Sequence, residues 1–395
     1  MNIPIARTNL LESEITAVLE PLRSGWLVQG KKVKEFENQW SDFVGVSSSI
    51  AVTSCTSALH LSLVALGIGV GDEVIVPAFT WISTANVVEH VGAKVVFADI
   101  DISTFNISVK DAESKVTEKT KAIIPVHLFG LAANMKGILD LAKKYSLKIV
   151  EDAACGFGAY QGGKHVGGFG NTGCFSFHPR KSITTGEGGM IVTDDIQLGD
   201  KLRKLRDHGA SMTDLQRHHG PRPYLLADHT EAGFNQRMTD IQATLGVEQM
   251  KRALDILDER KKIAHYYLES LASMTWLDMP SVDDENIHGY QSFPCMFEKN
   301  KVINILNSDN ISDLETIKND RNTYMGRLQD KGVSTRPATH AVHTLSYYKH
   351  KYKCSPIDFP NAYAAAECSI SLPLFNGMKK EEMEYVVKTV VSERY

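Results

Sequence analysis

KAIIPVHLFGLAANMKGILDLAKKYSLKIVEDAA (121–154) holds two short apolar runs on either side of a helical stretch. The flanks, KAIIPVHLFG (121–130) and LKIVEDAA (147–154), are rich in Ile and Val and are bounded by Gly, Pro or acidic residues, as strands are. Between them, NMKGILDLAKKYS (134–146) sets Met135, Ile138, Leu139 and Leu141 at helical spacing. Working outward, DEVIVPAFT (72–80) and AKVVFADID (93–101) read as further strands, and TSALHLSLVALG (56–67) as a further helix. Strand alternating with helix dictates an α/β fold with a mostly parallel sheet flanked by helices. Strands that are apolar throughout, without polar alternation, agree with burial on both faces.

After residue 238 the pattern changes. MTDIQATLGVEQMKRALDILDERKKIAHYYLESLAS repeats apolar residues at helical spacing (Ile241, Leu245, Met250, Leu254, Leu257), which predicts one long helix, kinked in places, bridging two domains. Glu248 with Arg252, and Asp258 with Lys262, form acid–base pairs four apart along it. Beyond it come short strands, a polar stretch NSDNISDLETIKNDRN (307–322) that reads as an exposed insertion, and a final helix from Lys379. The expected organisation is a large domain over 1–250 and a smaller C-terminal α+β domain over 251–395.

Composition narrows the class. The chain has 395 residues, 43% hydrophobic and 23% charged, with 43 Lys and Arg against 47 Asp and Glu. A net charge of −4 supplies no basic field for nucleic acid and no polybasic membrane signal. No run approaches the ~20 apolar residues of a membrane span. MNIPIARTNLLESE lacks the charged-then-apolar pattern of a signal peptide, so a cytoplasmic location is expected. Six scattered cysteines without a CxxC pair suggest neither a disulfide framework nor zinc.

The chemistry concentrates in GNTGCFSFHPRKSITTGEGGMIVTDD (170–195). Lys181 sits between an aromatic strand, CFSF, and a turn-rich TTGEGG that leads into MIVT. A lysine partly desolvated at such a junction can supply the neutral amine that a Schiff base requires, although a lone lysine is ordinarily a solvated surface charge. Its company changes the weighting. Glu151 and Asp152 end the strand KIVED at its carboxyl edge, where ligands bind in open α/β sheets, and a carboxylate there can keep a pyridine nitrogen protonated. In TSCTSALHL (53–61), small hydroxyl residues precede an amphipathic helix whose free N–H groups favour a phosphate, with simple capping by Ser54 or Thr56 as the alternative. Trp81 follows VIVPAFT and can stack on a flat ring.

A lysine, a strand-end aspartate, a phosphate cradle and an aromatic plate resemble the site of the DegT/DnrJ/EryC1/StrS sugar aminotransferases, within the fold type I pyridoxal phosphate enzymes. The resemblance runs nearly end to end through SGWLVQGKKVKEFE (24–37), GVGDEVIVPAFTWISTAN (69–86), PVHLFG (125–130), EDAACGFGA (151–159), FSFHPRKSITTGEGG (175–189), GFNQRMTDIQATLG (233–246) and SLPLF (371–375). It implies an aspartate aminotransferase-like fold and pyridoxal 5'-phosphate, alternating with pyridoxamine 5'-phosphate. It further implies that Lys181 forms the imine and shuttles the proton, that Asp152 pairs with the pyridinium nitrogen, and that Trp81 covers the ring. Thr56, Ser57 and Ser176 would hold the phosphate. Asn235, in the GFN motif, would reach the cofactor of a neighbouring subunit, making a homodimer with shared sites, with Arg237 beside it. At Cys155 the family usually carries Gln or His, so that contact to the cofactor departs from the pattern, and the 307–322 stretch exceeds the usual family length.

Other signals are weaker. GFGNTG (168–173) matches a dinucleotide fingerprint only formally, because a strand rather than a helix follows it. His208, His218, His219 and His229 show no metal-ligand spacing, and no metal is expected. His340 and His343 in TRPATHAVH fall where the family's small domain approaches the substrate. The two NIS triplets (106–108 and 310–312) match a glycosylation acceptor that a cytoplasmic protein does not use. The expected reaction moves an amino group from an amino acid, L-glutamate first, to a keto carbon (C4, with C3 as the alternative) of a nucleotide-linked deoxy sugar. Two rivals stand beside it. In one, the same cofactor serves a sugar dehydration, against which Lys181 argues because the dehydratase relatives carry histidine there. In the other, the chain is a non-catalytic sugar-binding or regulatory protein, for which an intact lysine–aspartate–serine set is an odd retention.

Overall fold

A computed structural model describes residues 1–219, 224–308 and 310–394, and of Asp214, Arg217 and His219 the backbone alone. The main sheet holds, among the described residues, seven strands: β1 (Ser48–Val52), β2 (Glu73–Pro77), β3 (Lys94–Ala98), β4 (Thr120–Ile123), β5 (Lys148–Asp152), β6 (Thr172–Ser176) and β7 (Gly189–Thr193). Their order is β1-β7-β6-β5-β4-β2-β3. Every pairing from β6 to β3 is parallel, and β7 runs antiparallel to both of its neighbours. This is the mostly parallel sheet that the alternation predicts. Each of the four strand-like runs contains a strand, shorter than the apolar stretch that marks it. The run KAIIPVHLFG, for example, keeps only a single bridge at Val126 beyond β4 and turns through a 3-10 segment at Leu128–Gly130.

The strands are buried because helices cover both faces. On one face α1 (Lys31–Val44) lays Phe36 and Trp40 against Phe157, Phe175 and Phe177, with ring centroids 4.8–5.9 Å apart around Trp40. A separate cluster forms where α3 (Met135–Tyr145) buries Met135, Ile138 and Leu141 against Ile75, Ile123 and Ile149. Between them in sequence, α2 (Cys55–Ala65) is not amphipathic as expected: no residue of it is fully exposed, and it lies within the largest core cluster. One polar knot ties α1 to β1 and to the helix Ile196–Arg206. Arg206 donates to Glu37 Oε1 at 2.6 Å and to the Ala51 carbonyl at 2.7 Å, while Glu37 accepts from the Ala51 amide at 3.0 Å.

The helical pattern after residue 238 resolves into two helices, α4 (Asp240–Met250) and α5 (Ala253–Ser270), rather than one. The break at Lys251 and Arg252 also undoes an expected ion pair. Arg252 turns away to Glu14 (2.5 Å) and the Asn9 carbonyl (2.8 Å), and Glu248 pairs with Lys251 instead. Asp258 and Lys262 do pair, at 2.6 Å. The remainder builds a small antiparallel sheet of Leu277–Asp278, Phe293–Phe297 and Ser369–Leu372, backed by α6 (Leu314–Asp330). The stretch 307–322 is therefore not an exposed insertion along its length. From Leu314 it is helix, and Leu314, Ile317 and Arg321 are buried, the last donating to the Ser369 carbonyl at 2.7 Å. Apart from Arg321, the charged residues Glu315, Lys318 and Asp320 lie on the outward face of an amphipathic helix. The final helix spans Lys380–Ser392. No helix among the described residues is long and apolar enough to cross a membrane.

The Glu37–Arg206 pair is buried at both ends, with side chains 4% and 3% exposed. Removing one partner leaves an uncompensated charge in the core, so Arg206→Met is expected to cost about 3–5 kcal/mol in urea unfolding. Glu37→Leu combined with it should cost less than the sum of the two single changes.

Candidate functional site

Most of the residues singled out for chemistry gather at one edge of the main sheet. Thr53–Ser57 follow β1, Trp81 follows β2, and Asp152 and Ser176 end β5 and β6. Because β7 runs the opposite way, its start at Gly189 lies at the same edge, and Lys181 hangs in the connection between β6 and β7. This is the carboxyl edge, where loops rather than packed strands meet solvent.

The two carboxylates that end KIVED part company. Side chains alternate faces along a strand, and each acid finds a different environment. Glu151 accepts from the amides of Gly167 (2.7 Å), Phe169 (2.7 Å) and Gly170 (2.6 Å). It also faces His127 Nε2 at 2.9 Å. His127 Nδ1 takes the Ala133 amide, so Nε2 carries the proton and donates to Glu151. Glu151 is thus spent on holding a loop. Asp152 instead accepts from Thr84 Oγ1 (2.8 Å) and the Ala154 amide (3.1 Å), and Cys55 Sγ lies 4.0 Å away. Burial pushes its carboxyl up, against the pull of Thr84, the Ala154 amide, Lys181 and His127. It is an acid poised for a cationic partner.

Lys181 is half-buried, and its Nζ lies 3.0 Å from Cys155 Sγ. Its backbone amide closes a turn onto the His178 carbonyl at 2.8 Å. Trp81 is 55% exposed, unusual for an indole on an otherwise packed edge. His340 reaches it from the C-terminal half. His340 and Thr80 pair across a two-residue ladder, and the rings meet edge-on with centroids 5.5 Å apart. His343, by contrast, is fully buried against Phe359, and burial lowers its imidazole to about 4.

At the mouth of α2, Ser54 is the cap and its Oγ accepts from the Ser57 amide at 3.1 Å. The capping alternative therefore holds for Ser54, while the Ser57 hydroxyl packs between Thr53 (2.8 Å) and Ser54 (3.0 Å), with Thr56 beside it. Gly189 runs so close that a Cβ there would lie 2.4 Å from the Ser54 carbonyl carbon. Only glycine lets the strand approach this helix end, and the resulting hydroxyl-rich concavity suits a phosphate. Ser176 Oγ lies within 3.4 Å of the His178 amide. Asn235 is exposed within the single chain, on a segment that bridges backbone to backbone with Asp207, and Arg237 Nη1 contacts Asp207 at 2.5 Å.

The residues present fit a pyridoxal phosphate: a buried acid needing a cation, an amine, an exposed indole and an anion cradle share one edge. Thr84 and Gln291 belong to this site and escape a reading of single motifs. Thr84 was detectable as the second threonine of TWIST (80–84), four residues after Thr80, which lies 3.1 Å from it. Gln291 carries no local signal. The other histidines stand apart: His229 Nδ1 pairs with the His208 carbonyl, His218 packs edge-on to Trp26, and the His219 side chain lies outside the described residues. Among the described residues no group of three or more His, Cys, Asp or Glu is placed to hold a metal.

Known proteins resemble this chain in sequence and fold. GDP-perosamine synthase of Escherichia coli O157:H7 is 35% identical over 389 residues, covering 98% of this chain and 97% of its own. Streptococcus pneumoniae Spr1654, solved in PMP and PLP forms, superposes with TM-scores of 0.89 and 0.88 at 29% identity, over 100% of this chain and 99% of that one. Helicobacter pylori PseC, an aminotransferase involved in the biosynthesis of pseudoaminic acid, superposes with a TM-score of 0.87 at 26% identity, over 100% and 99%. The model of the DegT/DnrJ/EryC1/StrS aminotransferase family matches residues 9–391. The chain belongs to that family, the pyridoxal phosphate-dependent sugar aminotransferases.

Proposed function

We propose that the protein transfers an amino group from L-glutamate to the C4 keto carbon of a nucleotide-linked deoxy sugar, with C3 as the second choice. The observation that carries this reading is the half-buried Lys181 amine, held against Cys155 three residues beyond the buried Asp152. Residues 1–250 form the cofactor-binding part in this reading and 251–395 the smaller part. When bound, the cofactor supplies a protonated pyridine ring that draws electron density from the reacting carbon. Asp152, steadied by Thr84, holds the proton on the ring nitrogen. Lys181 Nζ anchors the cofactor, then as the free amine takes the α-proton of the donor and delivers it. The Thr56 and Ser57 groups at the mouth of α2 and the Ser176 hydroxyl hold the phosphate. Trp81 covers the ring and keeps water from it, and His340 beside it faces the substrate. Cys155 borders the same ring.

A homodimer completes this reading. Leu10, Leu11, Ile15, Leu19, Leu22, Leu27 and Val28 are exposed in the N-terminal segment, an apolar surface that a second copy would cover. Asn235, exposed in the single chain, would then serve the partner's phosphate, with Arg237 next to the shared pocket. A GDP-perosamine synthase among the relatives supports a nucleotide-linked sugar as acceptor. The expected location is the cytoplasm, with neither nucleic acid nor membrane as partner.

Four experiments test this. Loaded with pyridoxal phosphate, the protein should be yellow, bleach with L-glutamate and regain colour with a nucleotide keto sugar. Lys181→Ala should lose turnover by about 10²–10⁴-fold or more while keeping its fold by circular dichroism, and transamination retained in that variant would remove the proton-shuttle assignment. For Asp152 the sign follows from its raised carboxyl: the charge weakens the fold once pH passes the unfolded value, and in full above the folded one. Asp152→Asn should therefore raise the thermal midpoint of the cofactor-free protein at pH 7, with the gain fading in acid, while the cofactor dialyses away more readily. Finally, mixing Asn235→Ala with Lys181→Ala should restore part of the activity in heterodimers. No rescue would count against shared sites.

A further inference from the structure

The turn that carries Lys181 is held from outside its own loop. Gln291 Oε1 accepts from the Ser182 amide and the Ser182 hydroxyl, both at 3.1 Å, and Gln291 Nε2 donates to the Arg180 carbonyl at 2.7 Å. One side chain thus grips the residues on both sides of Lys181. Gln291 is 6% exposed and leads directly into Phe293–Phe297, the central strand of the small sheet. Its own backbone is fixed with equal care. Arg260, fully buried, donates to the carbonyls of Tyr290 (2.9 Å) and Gln291 (2.7 Å) and to Asn376 Oδ1 (3.0 Å). The neighbouring amides of Gly289 and Ser292 donate to the carbonyls of Gly130 (2.8 Å) and Phe129 (3.3 Å) in the large half. Tyr290 adopts a left-handed φ of 44°, costly for an aromatic residue and sustained only where the surroundings impose it.

We infer that Gln291 is a positioning residue for Lys181, a clamp through which the C-terminal half sets the direction of the amine at the sheet edge. The inference rests on the reading of Lys181 as the cofactor-linked lysine. A free glutamine would have satisfied either flank of the turn. Satisfying both fixes the backbone on either side of the Lys181 Cα, which determines where a long, flexible side chain can place its Nζ. Without the clamp the amine would still reach the cofactor, but from a spread of directions, and the proton on the linked nitrogen would lose its fixed surroundings.

The test uses the loaded full-length protein and follows the visible absorbance of the bound cofactor as a function of pH, a readout that general loosening of the fold does not shift. Gln291→Met should move that transition by about half a pH unit or more and weaken cofactor retention about tenfold, the size expected for lost hydrogen bonds. Ser182→Ala, which removes one bond without disturbing packing, should shift it less and in the same direction, and should add little on top of Gln291→Met. Borohydride reduction of the parent followed by peptide mass mapping identifies the linked lysine. A label on Lys181 with superimposable titrations for the parent, Ser182→Ala and Gln291→Met would overturn the clamp alone, whereas a label on another lysine would overturn the reading beneath it as well.

Discussion

The pleat of one strand decides the chemistry of this protein. Glu151 and Asp152 are neighbours at the end of β5, yet alternation sends their carboxylates into different worlds. One is saturated by three backbone amides and an imidazole, and it fixes the Gly-rich loop at 167–170. The other keeps a hydroxyl and a single amide, too little for a buried charge, and so remains available to a cationic ring. Had the register slipped by one residue, the two acids would exchange faces, and the loop would lose the Glu151 carboxylate that anchors it.

Around that acid the sheet edge acts as an organiser. A single antiparallel strand, β7, brings the start of MIVT and the preceding Gly189 to the same edge as the ends of β1, β2, β5 and β6. The connection from β6 to β7 stays at this edge, and it carries Lys181, whose Nζ lies 3.0 Å from Cys155 Sγ, three residues past Asp152. The site is thus built from chain segments more than a hundred residues apart without any of them leaving its own strand–turn signal. The C-terminal half is equally engaged: His340 lies against Trp81, and Gln291 reaches the turn of Lys181.

Much of this was legible beforehand. The strands at 73–77, 94–98, 120–123 and 148–152 announced themselves as Val- and Ile-rich runs, because burial on both faces leaves no room for polar residues. Lys181, Asp152, Trp81 and the hydroxyls before α2 stood out through their places at strand and helix ends. Two expectations went astray for related reasons. The sequence pattern of α4 and α5 continues across Lys251 and Arg252, but Arg252 gains more from Glu14 and the Asn9 carbonyl than from Glu248. The polar run 307–322 hid a buried stripe, Leu314, Ile317 and Arg321, because composition averages over a helix whose two faces differ.

By itself, the order of residues determined which segments are strands and helices, the parallel character of the sheet, and the candidates for amine, acid and phosphate cradle, since each depends on periodicity or on a local turn. The tertiary structure alone decided that Glu151 is spent on the 167–170 loop, that Thr84 steadies Asp152, that Cys155 abuts the amine, and that Gln291 grips the residues flanking Lys181. Those are contacts between residues far apart in the chain, and their distances are set by how sheets and helices pack, which no local pattern encodes.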